Sequence, residues 1–319
     1  MSAVAQVVNA EMYKFFRSKS WFSSLIIMLL VSAFLFLSLP SSADWKDKLE
    51  QGNTSIEQQL NMTAAQLNAE SGTTNVYIKQ WKENEAYLQN NIVPANDYSY
   101  GTAAGYLSSV LSLRSLGLIL IVFPVIYAVS MAKEFESGTI QFLVMNPFKR
   151  TQVLIGKYIS VLSSTIIFLV VTLLANAALS LLTRPFGNSF IYSFNDGQLT
   201  QQSTMLFVIT NILLSLVYYL PYMTLAFVLA TVFRSTTLSL SITLLIALLG
   251  TQLLGLIKEG SVMLKFLLPA VVDVTHSPSR ANFAEINQYP LVQCIGIAIG
   301  YIILLLGVSL VHFQKKDIA

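Results

Sequence analysis

Long apolar runs alternate along this chain with short polar connections, and run length is the primary signal. Six stretches, at about 21–39, 111–132, 153–182, 206–233, 237–257 and 291–313, are long and apolar enough for a helix to cross a bilayer. Such a crossing takes about 20 mostly apolar residues over ~30 Å of hydrocarbon. No segment alternates like a barrel strand, and lipid offers no partner to an unpaired backbone group, so helices are the remaining solution. The pattern predicts an all-α integral membrane protein with six transmembrane helices. Composition agrees, with 54% hydrophobic and 11% charged residues and a mean hydropathy of +0.63.

The polar connections carry their own periodicity. In residues 1–20, Val4, Val7, Val8, Met12, Phe15 and Phe16 recur at helical spacing with Asn9, Glu11, Lys14 and Arg17 between them. This predicts an N-terminal interfacial helix on the cytoplasmic leaflet, ahead of the first spanning helix at 21–39. A cleaved signal peptide is the rival reading, with Ser41-Ser42-Ala43-Asp44 as the cleavage region. Its apolar core is usually shorter than Trp21–Leu39, which favours an uncleaved span.

Residues 40–110 form the predicted external helical subdomain. Leu49, Ile56, Leu60 and Leu67 mark one amphipathic stretch, and Val76, Ile78, Trp81, Tyr87 and Leu88 a second, split at Ser71-Gly72-Thr73, so a helical hairpin is expected. Asn53-Thr54-Ser55 and Asn61-Met62-Thr63 match the glycosylation acceptor pattern, a short motif that recurs by chance. The remaining chain, 111–319, holds five further spans. Before the last of them, at about 258–290, the apolar piece Val262–Val272 is interrupted by Pro269 and too short to cross. It reads as a re-entrant external turn.

Charge fixes the expected orientation. The N-terminus, the 133–157 connection, the turn at Arg234 and the tail carry Lys14, Arg17, Lys19, Lys133, Lys149, Arg150, Lys157, Arg234, Lys315 and Lys316 against Glu11, Glu134, Glu136 and Asp317. The other side is net acidic. The basic side faces the cytoplasm by the positive-inside rule, which places both termini there in a multi-pass protein of the cell membrane, a bacterial plasma membrane.

Chemistry-bearing groups are sparse. With only His276, His312 and Cys294, no zinc site, haem site or Cys/His nucleophile can be assembled in one chain, and Cys294 reads as a small apolar residue of the last span. A phosphate-binding loop ending at Gly156-Lys157 fails, since Thr151 stands at the first glycine position and Tyr158 at the last. No catalytic residue and no cofactor of its own is expected. Lys157 and Arg114 sit near span ends and can snorkel to the headgroups, while Asn176, Asn211 and Gln252 lie deeper and suit bonds between helices. Buried Asp, Glu or His for a proton relay is missing, which argues against a secondary carrier. Pro124 and Pro221 predict kinks, and Gly296 with Gly300 a close contact within the bundle.

One cytoplasmic connection stands apart. Glu134–Lys157 reads EFESGTIQFLVMNPFKRTQVLIGK, in which an acidic pair, a glycine, a short apolar run, Asn146-Pro147 and Lys149-Arg150 follow in tight order. A short amphipathic helix at about 134–151 suits that order, with apolar side chains for a groove and charges for its rim. The pattern E-x-E-x-G-T-I-x-F-L-x-x-x-P-x-x-R-x-x-x-x-x-G-K resembles that of type-2 permeases of ATP-binding-cassette exporters, and the six-span layout resembles theirs throughout. The resemblance implies a coupling helix containing or flanked by Glu134, Glu136, Gly138, Thr139, Phe142, Leu143, Pro147 and Arg150, with the turn at Arg234 as a second contact.

It further implies a separate cytoplasmic ATPase subunit carrying ATP and Mg, a second permease copy or homologous permease, and membrane lipid around the pair. No nucleic-acid partner is expected. The cargo class stays open among peptide, amphiphile, drug and ion, with export favoured over import. A membrane sensor or assembly scaffold without transport is the alternative from another class.

Overall fold

The computed structural model describes residues 3–38, 45–70, 76–92, 102–110, 118–139, 149–183, 186, 190–195, 198–254, 267–269, 271 and 291–315. Eleven helices lie among them. They are α1 (Ala3–Arg17), α2 (Lys19–Ser38), α3 (Trp45–Leu60), α4 (Ala64–Ala69), α5 (Val76–Asn90), α6 (Ala103–Val110), α7 (Leu118–Glu136), α8 (Arg150–Thr183), α9 (Thr204–Phe233), α10 (Thr236–Leu254) and α11 (Leu291–Lys315). Each of the six predicted apolar stretches is therefore helical over its described residues. By length and composition, Arg150–Thr183 and Val292–Lys315 are able to cross a membrane, and a third span follows if Ala3–Arg17 and Trp21–Phe34, bent by 58°, are taken together.

The all-α expectation needs one correction. Strands β1 (Phe190–Asn195) and β2 (Gln198–Ser203) pair antiparallel, from Phe190 opposite Ser203 to Asn195 opposite Gln198. The cause is local: Phe190, Tyr192 and Phe194 alternate with smaller or polar positions, and Asn195-Asp196-Gly197 carries the hairpin turn signal.

The chain divides into two compact units. In the first, comprising residues 1–33, 111–175 and 213–319, the outward helix faces are apolar. On α8 the exposed residues Ile155, Ile159, Ile166, Val170 and Leu174 share one helical face. A soluble protein would bury such a stripe; here it suits lipid. Inside, Phe168, Tyr219, Tyr222, Met223 and Phe227 are fully or nearly fully buried. Hydroxyls among them bond to carbonyls four residues back, as in Ser164 to Ser160 at 2.7 Å, Thr231 to Phe227 at 2.8 Å and Thr243 to Ser239 at 2.8 Å. Each of these three hydroxyls is thus satisfied within its own helix, as a lipid-surrounded core favours.

Small residues set two close approaches in this unit. A Cβ on Gly156 of α8 would lie 2.8 Å from the Cβ and Cγ1 of Val7, so α1 rests directly on that helix. A Cβ on Gly250 of α10 would meet Pro269 at 2.6 Å. Gly296 and Gly300 behave otherwise than expected: both are exposed, and a Cβ on either would meet nothing within 4 Å. Among the described residues, that face packs against no other helix. Cys294 is buried in α11, as read from the sequence.

The second unit, residues 34–110 and 176–212, contains the α3–α5 helices. Ile56, Leu67, Ile78 and Trp81 form its core, with Leu60 and Met62 packed against it. The break differs from expectation, since α3 stops at Leu60 and Leu67 belongs to a separate short α4. Asn61 adopts φ 56°, and Met62 N–H bonds to the Glu57 carbonyl at 3.1 Å, a left-handed stop that Asn tolerates better than most residues. Asn91 ends α5 in the same way, with φ 53°. Asn176 accepts a 2.9 Å bond from the buried Tyr106 hydroxyl, consistent with its predicted helix-bonding use.

Candidate functional site

The end of α7 and the turn between α9 and α10 meet in the first unit, and the meeting is built from two residue pairs. Arg234 occupies that turn at φ 54°, with its guanidinium 5.1 Å from the Phe135 ring centroid. The Glu136 carboxylate accepts from the Thr236 backbone N–H at 2.7 Å and from the Thr236 hydroxyl at 3.0 Å. A carboxylate at the first residues of α10 satisfies an orphan amide and complements the helix dipole. Phe135 also packs edge-on to Phe313 of α11 at 6.1 Å between ring centroids.

The segment itself is stopped by its glycine. Ser137 N–H bonds to the Lys133 carbonyl at 3.0 Å and Gly138 N–H to the Phe135 carbonyl at 3.2 Å, while Gly138 takes φ 69°. That is a left-handed helix stop, for which glycine carries no steric penalty. Nothing lies within 4 Å of where its Cβ would be, so the turn is open on that side. The Thr139 hydroxyl sits 2.9 Å from that of Ser137 and 3.4 Å from the Glu134 carbonyl. Arg150, at the start of α8, donates to the Gln314 carbonyl at 3.3 Å, capping the far end of α11. Of the predicted coupling residues, Glu134, Glu136, Gly138, Thr139, Arg150 and Arg234 are thus placed. Phe142, Leu143 and Pro147 lie outside the described residues, as do positions 140–148 of the predicted helix at about 134–151 and most of the 258–290 turn.

Sequence reasoning missed the charge cluster beside this joint. Lys157 does not snorkel outward; it is 4% exposed, with its ammonium 2.9 Å from Glu11 Oε1 and in contact with Glu134 Oε2. Lys14 closes the ring at 3.0 Å from Glu11 and 3.4 Å from Glu134. Burial works against the Glu11 charge, but the Lys157 and Lys14 ammonium groups outweigh it and hold that carboxyl below its ordinary value. Burial likewise opposes the Lys14 charge, and Glu11 and Glu134 raise its pKa nonetheless. Helix α1 is therefore pinned by charge to α7 and α8, in addition to its Val7 contact with Gly156. The signal was present: Glu11 is the one acid on the polar face of α1, among basic neighbours.

No group of three or more His, Cys, Asp or Glu able to hold a metal occurs among the described residues. The arrangement joins α1, α7, α8, α10 and α11 through paired charges, hydrogen bonds and ring contacts.

A family model described as ABC-2 family transporter protein matches residues 5–318. The chain is also 26% identical over 322 residues to YhcI of Bacillus subtilis (strain 168), a protein described as uncharacterized, with 98% of each chain covered.

Proposed function

Since that match spans nearly its whole length, the chain belongs to the ABC-2 transporter family, and we propose that it is an exporter half whose two cytoplasmic turns dock together on a separate ATPase. Membership makes it the membrane subunit of an ATP-binding-cassette transporter. The family carries no catalytic activity on this component.

One observation supports the docking surface. Glu136, 100 residues from Thr236 in sequence, binds both its amide and its hydroxyl, so the α7 stop and the α9–α10 turn form a single face. The carboxylate is already committed to that bond. Glu136 is thus a positioning residue, and the turn at half-buried Gly138 and exposed Thr139 offers the contact. In this reading two copies, or this chain and a homologous permease, form the path across six spans each. ATP and Mg bind the partner subunits; their closure pushes on the joined turns, and α7 and α10 carry the motion into the membrane. Both termini lie in the cytoplasm of a bacterial cell. The cargo is a peptide, amphiphile, drug or ion, with amphiphile or peptide export preferred.

The test is co-purification with an ATP-binding-cassette ATPase subunit, followed by ATP turnover. Gly138→Asp adds a charge where there is open space, at a conformational cost of about 1 kcal/mol. It is expected to lower turnover or release the ATPase while the permease stays folded. Unchanged binding together with unchanged turnover would refute the docking surface.

A further inference from the structure

The first unit contains a cavity of about 530 Å³ between α1, α7, α8, α9 and α10, within the usual size range of small-molecule sites. Its lining is graded. Ile126, Val129, Val161, Phe227 and Leu240 make one part apolar, whereas Lys14, Lys133 and Lys157 with Glu11 and Glu134 make the other charged. Three ammonium groups face two carboxylates, leaving one positive charge over. Lys14 and Lys157 are taken up by the carboxylates. Lys133 is exposed and has no ion-pair partner among the described residues.

The cavity wall is open along one line of α7. Ile126, Ser130 and Lys133 are spaced as i, i+4 and i+7, so they share a helical face, and all three are exposed while lining the cavity. The line runs from an apolar side chain, through a hydroxyl, to the exposed ammonium of Lys133 near the end of the helix. Buried Lys157 lines the floor behind it at 4% exposure.

We propose that this cavity holds the headgroup of an anionic phospholipid, with its phosphate on Lys133 and the neighbouring hydroxyls and its acyl chains along the Ile126 side of α7. A soluble anion would use the cation but not the apolar end; a neutral lipid would use the apolar end but not the surplus charge. Basic pockets between membrane helices near the cytoplasmic surface are suited to anionic headgroups, and each basic residue there contributes modestly. A bound lipid would wedge between α1 and α7, beside the joint, and so set how tightly α1 rides with it. The proposal rests on the α7 end lying at a membrane surface, not on ATPase docking.

The full chain, purified in a neutral detergent and presented with phosphatidylglycerol, phosphatidylcholine or soluble glycerol phosphate, tests it by native mass spectrometry. Phosphatidylglycerol is expected to be retained over phosphatidylcholine, and Lys133→Gln to weaken its retention about fivefold. Ile126→Trp, which narrows the opening without touching a charge, is expected to do likewise, while Lys315→Gln on α11 leaves retention unchanged. Equal retention of the two lipids, or retention indifferent to both cavity variants, overturns the proposal. Binding of glycerol phosphate as tight as that of the lipid would show a soluble-anion site and overturn it as well. Because the readout is lipid retention, it can fail while ATPase co-purification succeeds, and the reverse.

Discussion

The α3–α5 helices and the cluster around Lys157 both bury polar groups, yet they connect very different lengths of chain. In α3–α5, Asn84 donates to Asn53 at 2.9 Å and Trp81 Nε1 to Glu57 at 3.0 Å, between residues 31 and 24 positions apart. Around Lys157, the ties to Glu11 and from Lys14 to Glu134 span 146 and 120 positions, and the neighbouring Glu136 bond spans 100. Burying a polar group costs free energy unless it is paired, so both sets are held in place by that cost. The local set closes one short stretch on itself and makes it self-sufficient. The long-range set ties α1, α7, α8 and α10 together, so that displacement of one is felt by the others.

The largest expected effect separates the two regions outright. Trp81→Ala empties the centre of the α3–α5 core at a cost of about 4 kcal/mol. Amide hydrogen exchange should show lost protection across α3 and α5 with none lost in α8; loss in both would end the distinction. Next, Lys157→Met removes the buried partner of Glu11 and Glu134 and leaves them to the exposed Lys14, which is expected to destabilise the first unit by about 3 kcal/mol, with α1 and the α7 end gaining exchange and α3–α5 unchanged. Undisturbed α1 protection in that variant would mean the ion pairs do not hold it.

Gly156→Ala probes the same seam by shape. Its new Cβ meets Val7 at Cβ and Cγ1, atoms close to the backbone, so α1 has to shift, at about 2 kcal/mol of overpacking. A thermal midpoint equal to that of the parent protein would show that the close approach is not needed.

The smallest effect is that of pH. Because Lys157 and Lys14 outweigh burial and depress the Glu11 pKa in the docked state, the undocked state binds more protons in acid. The Glu11 contribution is therefore full above its ordinary value of 4.5 and is lost as pH falls through the lower docked value. Protease accessibility of α1 should rise only on that acid side, and Glu11→Gln should flatten the profile.

How much was legible in the sequence follows from the range of each interaction. The six apolar helices were readable because run length is a property of consecutive residues. The stop at Gly138 was not read, because the residue was assigned to a helix at about 134–151, although a glycine after an acidic pair is suited to a left-handed turn. Asn61 was missed as a helix stop because Leu60 and Leu67 fit one continuous apolar period, and only the left-handed backbone reveals the break. The β-hairpin was overlooked beside much stronger apolar runs, although its Asn-Asp-Gly signal was present. Lys157 was misread because its partners, Glu11 and Glu134, come from distant segments; nothing in its immediate neighbours distinguishes a snorkelling lysine from a buried one. The same distance hid the Glu136–Thr236 bond, though Glu136 and the turn at Arg234 had each been singled out.

The central claim is that Glu136 makes two turns act as one, and a double-mutant cycle on ATP turnover of the complex with its ATPase tests it most directly. Glu136→Ala and Thr236→Ala should each lower coupled turnover, and the double variant should be no worse than Glu136→Ala alone, because the two side chains act through one bond. Independent, additive losses, or turnover equal to that of the parent complex in Glu136→Ala, would contradict the account.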